Sequence, residues 1–237
     1  MIPKIIHYCW FGGNPLPKSA QKCIDSWKKY CPDYEIKEWN ESNFDINSNQ
    51  YVKEAYENKK FAFVTDYVRL YAMYTYGGIY MDTDVEVVRN LDEFLDNEGF
   101  SGFESDSSIP TGIMASKKKF KLFDYLLSYY DKHSFINEDG SFNMTTNVSI
   151  ITSMMKEHGF IPNGKYQIVE GFALYPKDYF CPLENETGKL TKTKNTATIH
   201  WFNKSWVSKS DRIRSKITKP FHRIFGNDCF KWLKHSK

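Results

Sequence analysis

Apolar positions along this chain recur at two spacings, and the switches between them mark its elements. Residues 4 to 10 (Lys-Ile-Ile-His-Tyr-Cys-Trp) form a nearly unbroken apolar run, which predicts a buried strand. Phe11-Gly12-Gly13-Asn14-Pro15 then turns the chain. From 17 to 30, Ala20, Cys23, Ile24 and Trp27 fall three and four apart, the period of one helix face, and Pro32 stops the helix. Tyr34 to Trp39 alternates and reads as a second strand. Strand, helix, strand in this order is a βαβ opening and predicts a parallel sheet.

The helical period returns over residues 50 to 77, read as two helices. Val64, Val68, Tyr71 and Ala72 lie on the inner face of the second, and Gly77-Gly78 ends it. Ile79-Tyr80-Met81 is a short apolar strand, and Val85 to Val88 is extended again. Phe100 to Glu104, Ile113 to Ser116 and Thr196 to Trp201 read as further strands, 119–132 and 146–158 as helices. After Ser208 the chain becomes a basic helical tail, interrupted at Pro220. The pattern predicts one α/β domain over residues 1–207 and an amphipathic tail over 208–237.

Composition narrows the class. A 41% hydrophobic content over 237 residues supports one sizeable core. Aromatics reach 17%, and their faces either fill a core or stack on bases and sugars. Net charge is +3 but uneven: residues 204–237 carry +8 and residues 1–203 carry −5. A mildly acidic body excludes general nucleic-acid binding. The tail's cations, with Trp206, Ile213, Ile217 and Phe221 among them, suit either an anionic membrane surface or packing on the domain. Five Cys without C-x-x-C spacing exclude a zinc ribbon or disulfide framework. The first residues lack a signal-peptide pattern, and no stretch reaches the ~20 apolar residues of a spanning helix. The expected location is the cytoplasm, with peripheral contact at the inner face of the plasma membrane through the tail.

The chemistry concentrates after the third strand. Asp82 and Asp84 are two apart, so extended backbone points them the same way. An apolar strand delivers them to its carboxyl end, where open α/β sheets bind ligands. Paired carboxylates resolve their repulsion with a shared proton or a divalent cation, and a hard cation suits a diphosphate. A bare D-x-D is more often a surface turn, but here it follows Gly-Gly-Ile-Tyr-Met. Asp66 and Arg69, at i and i+3 on one helical face, form either a surface ion pair or a clamp on ligand hydroxyls. Thr111 to Ala115 and Thr145 to Asn147 border the same region, with Asn147 expected to cap its helix. A dehalogenase-type phosphatase also ends a strand in D-x-D, though on its first strand. A non-catalytic nucleotide-sugar-binding module is a further alternative.

Phe63-Val64-Thr65-Asp66-Tyr67-Val68-Arg69-Leu70 followed by Tyr76-Gly77-Gly78-Ile79-Tyr80-Met81-Asp82-Thr83-Asp84 closely resembles the core of glycosyltransferase family 32, the sugar transferases with a D-x-D motif. Clostridial glucosylating toxins look like more distant relatives. The opening Ile5 to Gly13 and the late Ile199 to Trp206 fit the same pattern. The resemblance implies a GT-A fold, a nucleotide-sugar donor, Mn2+ or Mg2+ at the diphosphate, and retention at the anomeric carbon. It implies stacking of Trp10 on the base and contacts of Asp66 and Arg69 with the donor sugar. Asp82 would serve sugar, ribose or metal, and Asp84 would be the direct metal ligand. Ser205 and Trp206 would contact phosphate. His200 stands where the toxins carry an acidic residue, and is expected as a further metal ligand. A UDP-sugar is the favoured donor, GDP-mannose the other. A glycan or lipid-linked saccharide acceptor in surface or capsular polysaccharide synthesis completes the expectation.

Overall fold

The computed structural model describes residues 1–203 and 218–224. Residues 1–203 build one α/β domain on a seven-stranded sheet. The opening unit forms as its pattern requires: β1 (Ile5–Cys9), α1 (Lys18–Tyr30) and β2 (Glu35–Trp39), with β1 and β2 parallel and in register from Ile5 opposite Glu35. Two helices follow, α2 (Gln50–Glu57) and α3 (Phe61–Tyr76), then β3 (Gly78–Met81), which pairs parallel with β1. Gly77 and Gly78 join α3 to β3 with φ of 69° and 104°. A Cβ at Gly78 would lie 2.6 Å from the Ile5 carbonyl oxygen, so only glycine lets the chain re-enter the sheet there.

The remaining elements are β4 (Val85–Val87), β5 (Gly99–Gly102), β6 (Ile113–Ser116), α4 (Lys121–Lys132), α5 (Asn147–Glu157), β7 (Gln167–Val169), β8 (Phe172–Tyr175), α6 (Lys177–Phe180) and β9 (Thr198–His200). The sheet order is β2-β1-β3-β6-β5-β8-β7. β6 and β7 oppose their neighbours, so the other five strands share one direction. The sheet is mainly parallel, as expected from the sequence, and mixed by an antiparallel strand at its centre. β4 and β9 leave the main sheet and pair antiparallel as a two-stranded ribbon.

Apolar side chains fill both faces. Val64, Val68, Ala72, Leu126 and Ile150 belong to a core under α2 to α5. Ile6, Ile24, Trp27, Ile79 and Phe180 form a second core on the other face, under α1 and α6. Tyr71, expected on the inner face of α3, packs at its margin and is only partly buried. Residues 218–224 are helical. The rest of the expected tail lies outside the described residues, as do Ser205 and Trp206. Among the described residues, no helix is long and apolar enough to cross a membrane.

Candidate metal and donor site

The carboxyl ends of β1 and β3 and the start of antiparallel β6 meet at one edge of the sheet. Asp82 leaves β3 there, its N–H donating to the Gly112 carbonyl at 2.8 Å. The next turn is closed by the Val85 N–H on the Asp82 carbonyl at 3.0 Å. This turn carries Asp84 into β4. α1 holds β4 from one side: the Trp27 indole donates to the Val85 carbonyl at 2.7 Å, and the Val87 N–H donates to Ser26 Oγ at 2.9 Å. β9 holds it from the other, with Val85 opposite His200.

That register brings His200 to the carboxylates. Its Nε2 lies 3.2 Å from Asp84 Oδ1, and one ligand atom each from Asp82, Asp84 and His200 lies within 4.8 Å of the others. Phe202 stacks on the imidazole at 4.1 Å. A Cβ at Gly112 would lie 2.7 Å from His200 Nδ1, so the bare glycine makes room for the ring. The Asn203 N–H donates to Asp84 Oδ2 at 2.7 Å, and the Trp201 N–H donates to the Asp84 carbonyl at 2.9 Å. Burial raises the Asp84 pKa, but the His200 charge and three hydrogen bonds outweigh it and hold the group below its ordinary value. Burial opposes the charged imidazole, yet Asp84 pulls the His200 pKa well above its ordinary value. Two carboxylates and an imidazole converging at a sheet edge fit a divalent cation: the oxygens suit Mn2+ or Mg2+, the nitrogen a transition-row ion.

Arg69 organises the inner wall. Its guanidinium bonds the carbonyls of Thr111 at 2.7 Å and Thr65 at 3.3 Å, and pairs with Asp66 at 3.1 Å and Asp82 at 3.5 Å. It also lies 4.8 Å above the Tyr80 ring. The Arg69 side chain is 6% exposed and that of Asp66 13%, so the surface-pair alternative is overturned. Burial pushes the Asp66 pKa up to about 7; Arg69 opposes the shift and Asp82 adds to it.

Two partners, Tyr80 and Asn203, were not singled out by the sequence, and a third, Asn147, was given another role. Tyr80 Oη donates to Asp82 Oδ1 at 2.7 Å. Strand periodicity could have shown this, because residues two apart share a face. Asn203 is a backbone contact and carries no residue-type signal. The Asn147 N–H bonds the Asp66 carboxylate. Asn147 is not the cap of α5: Thr146 Oγ1 accepts from the Ser149 N–H at 3.3 Å. Asn147 instead lies buried, its amide donating to Tyr130 Oη at 2.6 Å. Trp10 follows β1 at the same edge, half-buried, with its indole N–H on the Asn14 carbonyl at 2.5 Å.

Part of the chain is similar in sequence to known proteins. Residues 17–101 match the glycosyltransferase sugar-binding region containing DXD motif. Over this stretch, which holds Asp66, Arg69, Asp82 and Asp84, the chain is similar to glycosyltransferases of the family-32 type. An inositol phosphoceramide mannosyltransferase 3 from Schizosaccharomyces pombe is 34% identical over 49% of this chain and 34% of its own length. The chain thus spans about a third of that relative. An uncharacterized glycosyltransferase, L373, from Acanthamoeba polyphaga mimivirus is 25% identical over 87% of this chain and 84% of its own. Among solved structures, the galactosyltransferase LgtC in complex with donor and acceptor sugar analogs aligns over 91% of this chain and 95% of its own. Its TM-score is 0.48 at 14% identity. The phosphatase alternative fails on position: the motif follows β3, whereas β1 runs into Trp10 and Phe11.

Proposed function

We propose that this protein is a retaining, metal-dependent glycosyltransferase that moves a hexose from a nucleotide-sugar donor to a glycan or lipid-linked saccharide. The observation that carries the proposal is the convergence of Asp82, Asp84 and His200 at the carboxyl edge of the parallel strands, backed by the buried Asp66–Arg69 pair. Asp84, Asp82 and His200 would hold Mn2+ or Mg2+, which offsets the charge gained by a departing diphosphate. Arg69 pairs with both Asp66 and Asp82 and holds the two carboxyl groups in place. Asp66 and Arg69 border the donor sugar and Trp10 borders the base. With no carboxylate assigned as nucleophile, front-face attack gives retention; a sugar trapped covalently on a carboxylate would overturn that part.

A UDP-sugar is the first reading of the donor. The yeast relative's name favours mannose as the second, and so GDP-mannose. The basic tail supports a setting in surface polysaccharide assembly beside an anionic membrane in the cytoplasm. Deleting residues 209–237 should then reduce binding to anionic vesicles; unchanged binding would remove the membrane from the proposal.

Titration calorimetry of UDP and of GDP, each with Mn2+ and with EDTA, tests the core claim. One nucleotide should bind only with metal, and Asp84→Ala should lose that binding. Binding indifferent to metal and to Asp84 would leave a non-catalytic binding module.

A further inference from the structure

A concavity lies between two segments whose near neighbours in sequence border the donor site. It is a groove of about 270 Å3 between the β5–β6 connection and α5, lined by Ser108, Val148, Ser149, Thr152, Ser153 and Lys156. Both walls begin at the donor site. Ser108 is three residues before Thr111, whose carbonyl holds Arg69. α5 begins at Asn147, whose N–H holds Asp66. The walls are clamped together where the Ile109 N–H donates to Thr152 Oγ1 at 3.1 Å. Ser149, Ser153 and Lys156 follow one face of α5 at i, i+4 and i+7, so the groove runs about 10 Å along the helix from its N-terminal turn.

The lining selects a chemical class. Four hydroxyls offer both donors and acceptors, Lys156 offers donors only, and Val148 offers one apolar contact. Ser108, Ser149 and Thr152 already bond Ser105, Thr146 and the Ile109 N–H, so each keeps only part of its capacity for a ligand, and a phosphate would meet a single cation. A ring carrying several hydroxyls and one C–H face matches the set. The volume sits just below the usual range of small-molecule sites, roughly 300 Å3 and upward.

We propose that this groove binds the saccharide acceptor, with its end nearest Thr111 and Asn147 presented to the donor sugar. The inference rests on the transferase reading above. It assigns acceptor contacts to Ser108, Ser153 and Lys156, and none to the metal ligands.

The test uses the full chain and a panel of methyl hexopyranosides and hexose disaccharides as probes. In amide NMR, at least one probe should shift the signals of Ser108, Ser149, Ser153 and Lys156. Ser153 is exposed, so Ser153→Trp fills the groove without disturbing the core, and these shifts should vanish. With that probe as acceptor, Ser153→Trp should raise its KM about tenfold or more, and Lys156→Ala should raise it less. Donor hydrolysis without acceptor should stay within about twofold of wild type in both variants. Groove signals that no probe moves, or shifts and KM that survive Ser153→Trp, overturn the assignment. Failure of Mn2+ with nucleotide to broaden signals around Asp82 and Asp84 would instead remove the transferase reading.

Discussion

His7 is fully buried with a fixed tautomer. Its Nε2–H donates to the Gly77 carbonyl at 2.8 Å, and its Nδ1 accepts from the Trp39 indole at 3.1 Å. Burial drives its pKa down to about 4; the Gly77 bond resists, and the Lys37 charge adds to the fall. An unfolded chain binds the proton near pH 6.5, whereas the native state refuses it until about pH 4. Stability from this group is therefore complete above pH 6.5 and drains as pH falls toward 4, by about 3 kcal/mol. Urea unfolding at neutral pH and at pH 4.5 should show a steeper loss for wild type than for His7→Gln. Equal slopes would mean that His7 does not carry the effect. At the site, Tyr80→Phe removes one hydroxyl from Asp82 and keeps the ring beneath Arg69. Metal affinity should fall roughly tenfold, the usual cost of losing a ligand's orienting partner, with little change in Tm.

At the scale of elements, three pieces converge at one buried cation: α3 supplies Arg69 itself and Asp66, the segment leading into β6 supplies the Thr111 carbonyl, and the residue after β3 supplies the Asp82 carboxylate. Arg69→Met leaves two carboxylates without their partner and should destabilise the fold by about 3–5 kcal/mol in urea titration. Gly112→Ala sets a methyl against the His200 ring and should weaken Mn2+ binding while Tm changes little. If metal affinity is unchanged, the imidazole is no ligand. Long periodic elements such as α1 and α3 were legible because their apolar stripes repeat over several turns. β7, β8 and α6 were not predicted. Each has only three or four residues, and Gly171, at φ 83°, and Pro176 cut the segment before any period can accumulate. The carboxylate pair was legible from strand geometry. The role of Asn147 was not, because its contact with Asp66 runs through the backbone.

Across the whole domain, the ribbon of β4 and β9, extended by the bonds of Trp201 and Asn203 to Asp84, joins the Asp82–Asp84 turn to the late part of the chain. Metal and nucleotide should therefore slow hydrogen exchange in residues 84–88 and 198–203, and leave β5 and β8 unaffected; uniform protection would argue against a site at the ribbon. The ribbon also decides which mutations the chain tolerates. Val85 faces His200 because the count of residues between the two strands and their anchors is fixed. A substitution at Glu86 or Ile199 alters one side chain and spares the alignment. Deleting a single residue from 196–199 shifts the ribbon by one step and turns the imidazole to the opposite face. In a deletion scan, this short stretch should lose metal binding while remaining folded, and its genetic fragility would come from counting rather than from chemistry.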